Sequence, residues 1–78
     1  MHVIVLTVDQ KLYEGDTDMI VLPGSAGELG ILDNHEPLMT SLRAGAIKLY
    51  QKQAVTHEFP IQSGFARVAA ESCKVYVF

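Results

Sequence analysis

The side chains best suited to hold a metal are His2, His35, His57 and the lone Cys73. A structural zinc site needs a tetrahedral set of thiolates and imidazoles, usually in close sequence pairs. These residues are scattered along the chain with no such pair, so no metal centre is expected. Nucleophilic catalysis would draw on Ser25 or Ser41, with His35 as base and Asp33 or Glu36 to orient it. Neither serine lies in a nucleophile elbow or beside an oxyanion glycine pattern. Gly24-Ser25-Ala26-Gly27 lacks the Gly-Lys-Thr ending of a phosphate loop and reads as a turn between strands. No catalytic residue and no cofactor are expected. Cys73, with no activating Lys or His beside it, reads as a small buried apolar residue of the last strand. His57 shares a strand face with Val55, Phe59 and Ile61, which reads as a partly buried, hydrogen-bonded histidine. His35 sits in an irregular stretch, where it either holds its loop or meets a partner.

Composition narrows the function classes further. The 78 residues make one domain, 1–78, with a net charge of −3 and six scattered Lys and Arg, so nothing favours nucleic acid. A chain this short buries only about 60% of the surface its unfolded form exposes, and a single cysteine rules out an internal disulfide. With 49% hydrophobic and 19% charged residues, the chain is globular and sparsely charged, which suits a domain that hides surface in a partner. Apolar runs such as Val3–Leu6 and Met19–Leu22 are too short to span a bilayer, so no membrane insertion is expected. The start, Met1-His2-Val3, enters a strand directly, from which neither signal nor transit peptide is expected.

Strands must position whatever the chain recognises. Val3–Val8 is apolar on both faces, and Lys11–Glu14 ends at Gly15-Asp16. Asp18–Leu22 is stopped by Pro23-Gly24-Ser25, a turn signal. Leu29–Leu32 is brief, and Pro37–Leu42 runs into Arg43-Ala44-Gly45. Ala46–Gln51 alternates, as does the stretch from Val55 to Ile61. Phe65–Ala69 and Lys74–Phe78 complete the set around a turn at Ala70-Glu71-Ser72. Recurring turn signals with period-two alternation and no helical periodicity predict an all-β antiparallel sandwich or barrel.

The stretch Gly27-Glu28-Leu29-Gly30-Ile31-Leu32-Asp33-Asn34-His35-Glu36-Pro37-Leu38 combines glycines, an Asp-Asn turn and Glu-Pro, and reads as a rigid, irregular recognition loop. With Leu12-Tyr13-Glu14-Gly15 before it and Ser63-Gly64-Phe65 after it, in collinear order over nearly the whole chain, it resembles the N-terminal β-domain of the epsilon subunit of F-type ATP synthases, called delta in mitochondria. The resemblance implies a flattened antiparallel β-sandwich of roughly ten short strands. It implies a non-catalytic rotor subunit of the central stalk, linking gamma to the membrane c-ring and coupling proton flow to ATP synthesis. Glu28, Leu29 and Gly30 would meet the polar loops of the c-ring. His35, Thr40 and Thr7 would lie against gamma. Gly27, Gly30 and Pro37 would shape the loop through their backbones. The family implies a peripheral place on the cytoplasmic face of a bacterial inner membrane. Two positions depart from its pattern: Ser63-Gly64 stands for Gly-Gly, and Val8-Asp9 for Pro-Glu or Ala-Glu. The chain ends at Phe78 without the family's C-terminal helical hairpin, so neither inhibition nor nucleotide binding is expected of these residues. An unrelated β-sandwich binding module and a small β-fold enzyme are the alternatives.

Overall fold

The computed structural model describes residues 1–78, all of them in strands and connecting turns with no helix. The strands are β1 (His2–Leu6), β2 (Lys11–Asp16), β3 (Met19–Gly24), β4 (Gly27–Leu32), β5 (Leu38–Leu42), β6 (Gly45–Gln51), β7 (Ala54–Ile61), β8 (Gly64–Val68) and β9 (Ser72–Val77). They hydrogen-bond in the order β2-β1-β9-β8-β5-β3-β6-β7, with β4 added to β3. The all-β sandwich expected from period-two alternation is what forms, with nine strands. One pair departs from the antiparallel rule: β1 runs parallel to β9, from His2↔Ser72 to Leu6↔Tyr76. Local alternation carries no information about which distant strands meet, and a parallel pair needs a long connection, here most of the chain.

Strand β3 makes the corner. It pairs with β4 along its whole length, with β6 over Met19–Val21, and with β5 only at Gly24↔Leu42. The sheet folds over at that single pair. Val3, Val5, Ala66, Val68, Cys73, Val75 and Val77 face the core from one half, and Ile20, Leu22, Ile31, Ile47, Leu49 and Ile61 from the other, with Leu42 at the junction. At the open side, the outermost strands β2 and β7 meet through aromatic rings. Tyr13 lies 4.7 Å from His57 and 6.2 Å from Phe59, centroid to centroid.

Several local expectations change. Pro23-Gly24 does not stop β3 but continues it. The Pro23 carbonyl accepts the Arg43 N–H at 2.9 Å, so the residue's bonding edge faces away from β4 and its missing N–H breaks no β3–β4 bond. From Gly27 to Leu32 the stretch is strand β4, longer than the brief Leu29–Leu32 expected, in register with β3 from Gly24↔Gly27 to Met19↔Leu32, and only residues 33–37 form the irregular loop. The glycines pointed to a loop, yet only Gly27, at φ 138°, uses a conformation closed to other residues. Val3–Val8 is not covered on both sides. Val3 and Val5 are buried, Ile4 and Leu6 half-buried, and Val8 is 89% exposed in the following turn. The β6–β7 turn places Lys52 and Gln53 at positive φ, the geometry of a type I′ hairpin, without the usual Asn-Gly. The Asp18 carboxylate holds it by accepting the Lys52 N–H at 2.7 Å.

Glycine 64 marks a close backbone approach, because a Cβ there would stand 2.6 Å from the Tyr76 carbonyl oxygen. Gly30 has only Met19 Sδ nearby, at 3.8 Å. Gly64→Ala should therefore cost about 1–3 kcal/mol, as overpacking does, while Gly30→Ala stays within about 0.5 kcal/mol. Urea melts of the two variants check this, and equal midpoints would contradict it.

Candidate partner-binding surface

The β3–β4 hairpin turns through Ser25 and Ala26 and is fastened to β5. Ser25 donates from both its N–H and its hydroxyl to the Ser41 carbonyl, each at 3.0 Å, and the two hydroxyls are 2.6 Å apart. Alternation along β4 then sorts its residues. Glu28, Gly30 and Leu32 are exposed, whereas Leu29 is half-buried and packs against the core. Glu28 and Gly30 thus form an outward stripe with Leu32, which is 58% exposed. Leu29 faces the other way and supports the stripe from beneath. Leu32 was missed by motif reading, although period-two alternation from Glu28 finds it.

Thr7 closes the β1–β2 turn. Its N–H donates to the Gln10 carbonyl at 2.8 Å, and its hydroxyl accepts the N–H groups of Asp9 and Gln10 at 3.2 and 3.1 Å. His35 lies half-buried between β4 and β5, and its Nδ1–H donates to the Glu36 carbonyl at 2.7 Å. The loop around it is anchored where the Asn34 N–H reaches the Ala70 carbonyl at 2.7 Å. Thr40 is half-buried in mid-β5, opposite the buried Ala66. The three do not converge. Thr7 follows β1 at the end of the sheet that carries the β3–β4 tip, Thr40 lies mid-strand, and His35 precedes β5 at the opposite end. Three strand spacings of about 4.8 Å separate β1 from β5.

Other residues behave as structure rather than chemistry. Ser25 and Ser41 bond each other and His35 turns to a backbone carbonyl, so no serine–histidine pair forms. No three His, Cys, Asp or Glu side chains converge as a ligand set. Burial pushes the Cys73 thiol up to about 12, leaving it protonated and unreactive at neutral pH. His57 corrects an expectation: it is exposed, because β7 is an outer strand of the sheet. Its ring stacks on Phe59, 6.2 Å away at 9° between planes, and its Nδ1 lies 3.2 Å from the Thr56 hydroxyl.

The chain matches the family model for the "ATP synthase, Delta/Epsilon chain, beta-sandwich domain" over residues 1–77. It belongs to that family. The ATP synthase epsilon chain of Granulibacter bethesdensis is 37% identical over 71 residues, which are 91% of this chain and 53% of the relative. That of Caulobacter vibrioides is 37% identical over 75 residues, 96% of this chain and 86% of the relative. The chain thus spans about half the length of the first of these relatives and most of the second. A chain in the cryo-EM structure of the Euglena gracilis mitochondrial ATP synthase (OSCP/F1/c-ring) superposes with TM-score 0.86 at 19% identity, over 96% of this chain and 48% of that one. The central stalk/c-ring structure of the Tetrahymena thermophila enzyme gives 0.80, again at 19%, over 99% and 62%. At such identity the likeness is one of fold.

Within this epsilon-type sandwich, the clearest charge cluster lies on the β1–β2 hairpin. His2 bonds Glu14 through Nε2 at 2.8 Å and Asp16 through Nδ1 at 3.2 Å, while Lys11 also bonds Glu14. Glu14, and then Asp16, hold His2 above its usual 6.5, and Lys11, and then His2, hold Glu14 below its usual 4.5. A raised histidine stabilises the fold below its unfolded value and loses that contribution as pH rises through the folded one. A lowered carboxylate contributes above its unfolded value and loses it as pH falls. Both contributions are in place between pH 4.5 and 6.5. His2→Gln should flatten the dependence of Tm on pH above 6.5 relative to the parent chain. Superposable profiles of parent and variant would mean that solvent screens the cluster completely.

Proposed function

We propose that this chain is a non-catalytic central-stalk component of a proton-translocating F-type ATP synthase, linking gamma to the c-ring. The observation that carries the reading is the family match over residues 1–77, joined to a hairpin that presents Glu28 outward from a fastened base. The bacterial relatives carry the name ATP synthase epsilon chain, and the structural neighbours are mitochondrial ATP synthase assemblies. These support a peripheral place on the cytoplasmic face of a bacterial inner membrane, reached through partners.

In this reading residues 1–78 act as one rigid domain. Glu28 and Gly30 meet polar loops of the c-ring, with Leu29 holding the strand to the core. His35, Thr40 and Thr7 lie against gamma. Their spread along the sheet suits a long contact better than a compact pocket. The hydrogen bonds of Thr7 and His35 then set the shape of the surface, because both side chains are already engaged within their own turns. The domain neither hydrolyses nor binds nucleotide.

An exposed charge in such a contact contributes roughly 0–1 kcal/mol. Glu28→Ala should leave the melting curve of the free chain in place and weaken assembly with the c-ring only mildly; loss of the fold would make Glu28 structural. Cognate gamma at about 100 times its dissociation constant should stabilise the chain by about 2.7 kcal/mol. A melting curve unmoved by saturating gamma would refute the rotor assignment.

A further inference from the structure

Met1 carries the β1–β2 ladder one residue beyond the pair His2↔Asp16. Its ammonium donates to the Thr17 carbonyl at 2.9 Å, and its carbonyl accepts the Thr17 N–H at 2.8 Å. The same ammonium lies 2.7 Å from an Asp33 carboxylate oxygen, in the loop that joins β4 to β5. The Met1 side chain is 1% exposed and packs against the core, so the amine cannot swing away without drawing an apolar group into water. Asp33 is 57% exposed, which makes the ion pair by itself a modest contribution. The two Thr17 bonds and the buried side chain fix its place.

The surroundings of the amine are acidic. A polar hollow of about 390 Å³ opens beside it, with Asp16, Asp18, Asp33 and Glu71 in its walls. His2, the other basic group there, is already held by Glu14 and Asp16. No other side chain pairs with Asp33. The ammonium thus ties the start of β1 to the β2–β3 turn and to the loop that carries His35. At the same end the β8–β9 turn is fastened by the His2 N–H on the Glu71 carbonyl and the Asn34 N–H on the Ala70 carbonyl.

We infer that the Met1 α-amine is a covalent-modification site, where an N-formyl group decides whether this end of the sandwich closes. The amine must be free. Formylation replaces the ammonium by a neutral amide with one N–H, which can serve the Thr17 carbonyl or the Asp33 carboxylate but not both. It also sets a carbonyl oxygen, which needs a donor, among carboxylates. The ion pair is lost and an acceptor is left without a partner. Hydrolysis reverses this. Under a deformylating hydrolase, water cleaves the formyl C–N bond, formate leaves, and its proton goes to the amine. Closure of this end does not depend on the rotor reading.

Total synthesis supplies the 78-residue chain with a free, formylated or acetylated Met1 and no other difference. Either acylated chain should melt about 4–8 °C below the free one, the shift that a modest loss produces in a domain of this size. Amide exchange should quicken at Thr17 and Asn34 more than at Ile47. Treating the formyl chain with peptide deformylase should return the melting curve of the free chain, a readout that holds even where the formyl chain starts unfolded. In Asp33→Asn the cost of acetylation should at least halve, because the carboxylate it orphans is already gone. Superposable melts of free and acylated chains would overturn the inference, as would an undiminished acetylation cost in Asp33→Asn. So would intact-mass analysis of the chain from its native ATP synthase particle that finds Met1 blocked or preceded by another residue.

Discussion

Everything in this fold hangs on the corner at Gly24. The sheet passes from one half to the other through the single pair Gly24↔Leu42, and β4 must lie against the same strand there. A Cβ on Gly24 would sit 2.7 Å from the Gly27 carbonyl oxygen and 3.2 Å from Leu29 Cδ1. Only a residue without a side chain lets the hairpin close this tightly. That closure brings Ser25 to Ser41 and sets the outward stripe of β4. It also folds the two halves of the sheet over one set of aliphatic side chains.

Much of the core was legible. Ile47, Leu49, Cys73, Val75 and Val77 are the inward members of strands legible in the sequence, whereas Val3 and Val5 do not stand out from a stretch apolar on both faces. Long-range partners were not legible, because a strand's pattern states which face is buried and not who lies beside it. The parallel β1–β9 pair and the branching of β3 are of that kind. Pro23 misled because its usual cost, a lost ladder bond, does not arise where the bonding edge faces a gap between neighbours. His57 misled because β7 is an outermost strand, where Tyr13 and Phe59 flank the ring and leave the rest of it open to solvent.

The candidate surface was half legible for the same reason. The Gly27–Gly30 motif locates the hairpin, but only the β3–β4 register separates Glu28 and Gly30 from the inward Leu29. Arg67 and Lys74 are unremarkable in sequence, seven positions apart with a turn between them. The antiparallel pairing of β8 and β9 makes them neighbours and leaves both without a carboxylate. Neighbourhood on this sandwich is therefore set by cross-strand rows, which sequence motifs cut across.

The parallel contact between the first and last strands constrains how the chain reaches its native state. During synthesis β1 can pair with β2 at once, since a short turn joins them. Its other edge stays bare until Ser72–Val77 has left the ribosome, because no other strand occupies that side. Contacts between residues so far apart slow folding by the loop entropy they must overcome, and they leave an unpaired apolar edge open to other chains meanwhile. For this sandwich, the first strand gains its second neighbour only once Ser72–Val77 has been made and lies along it.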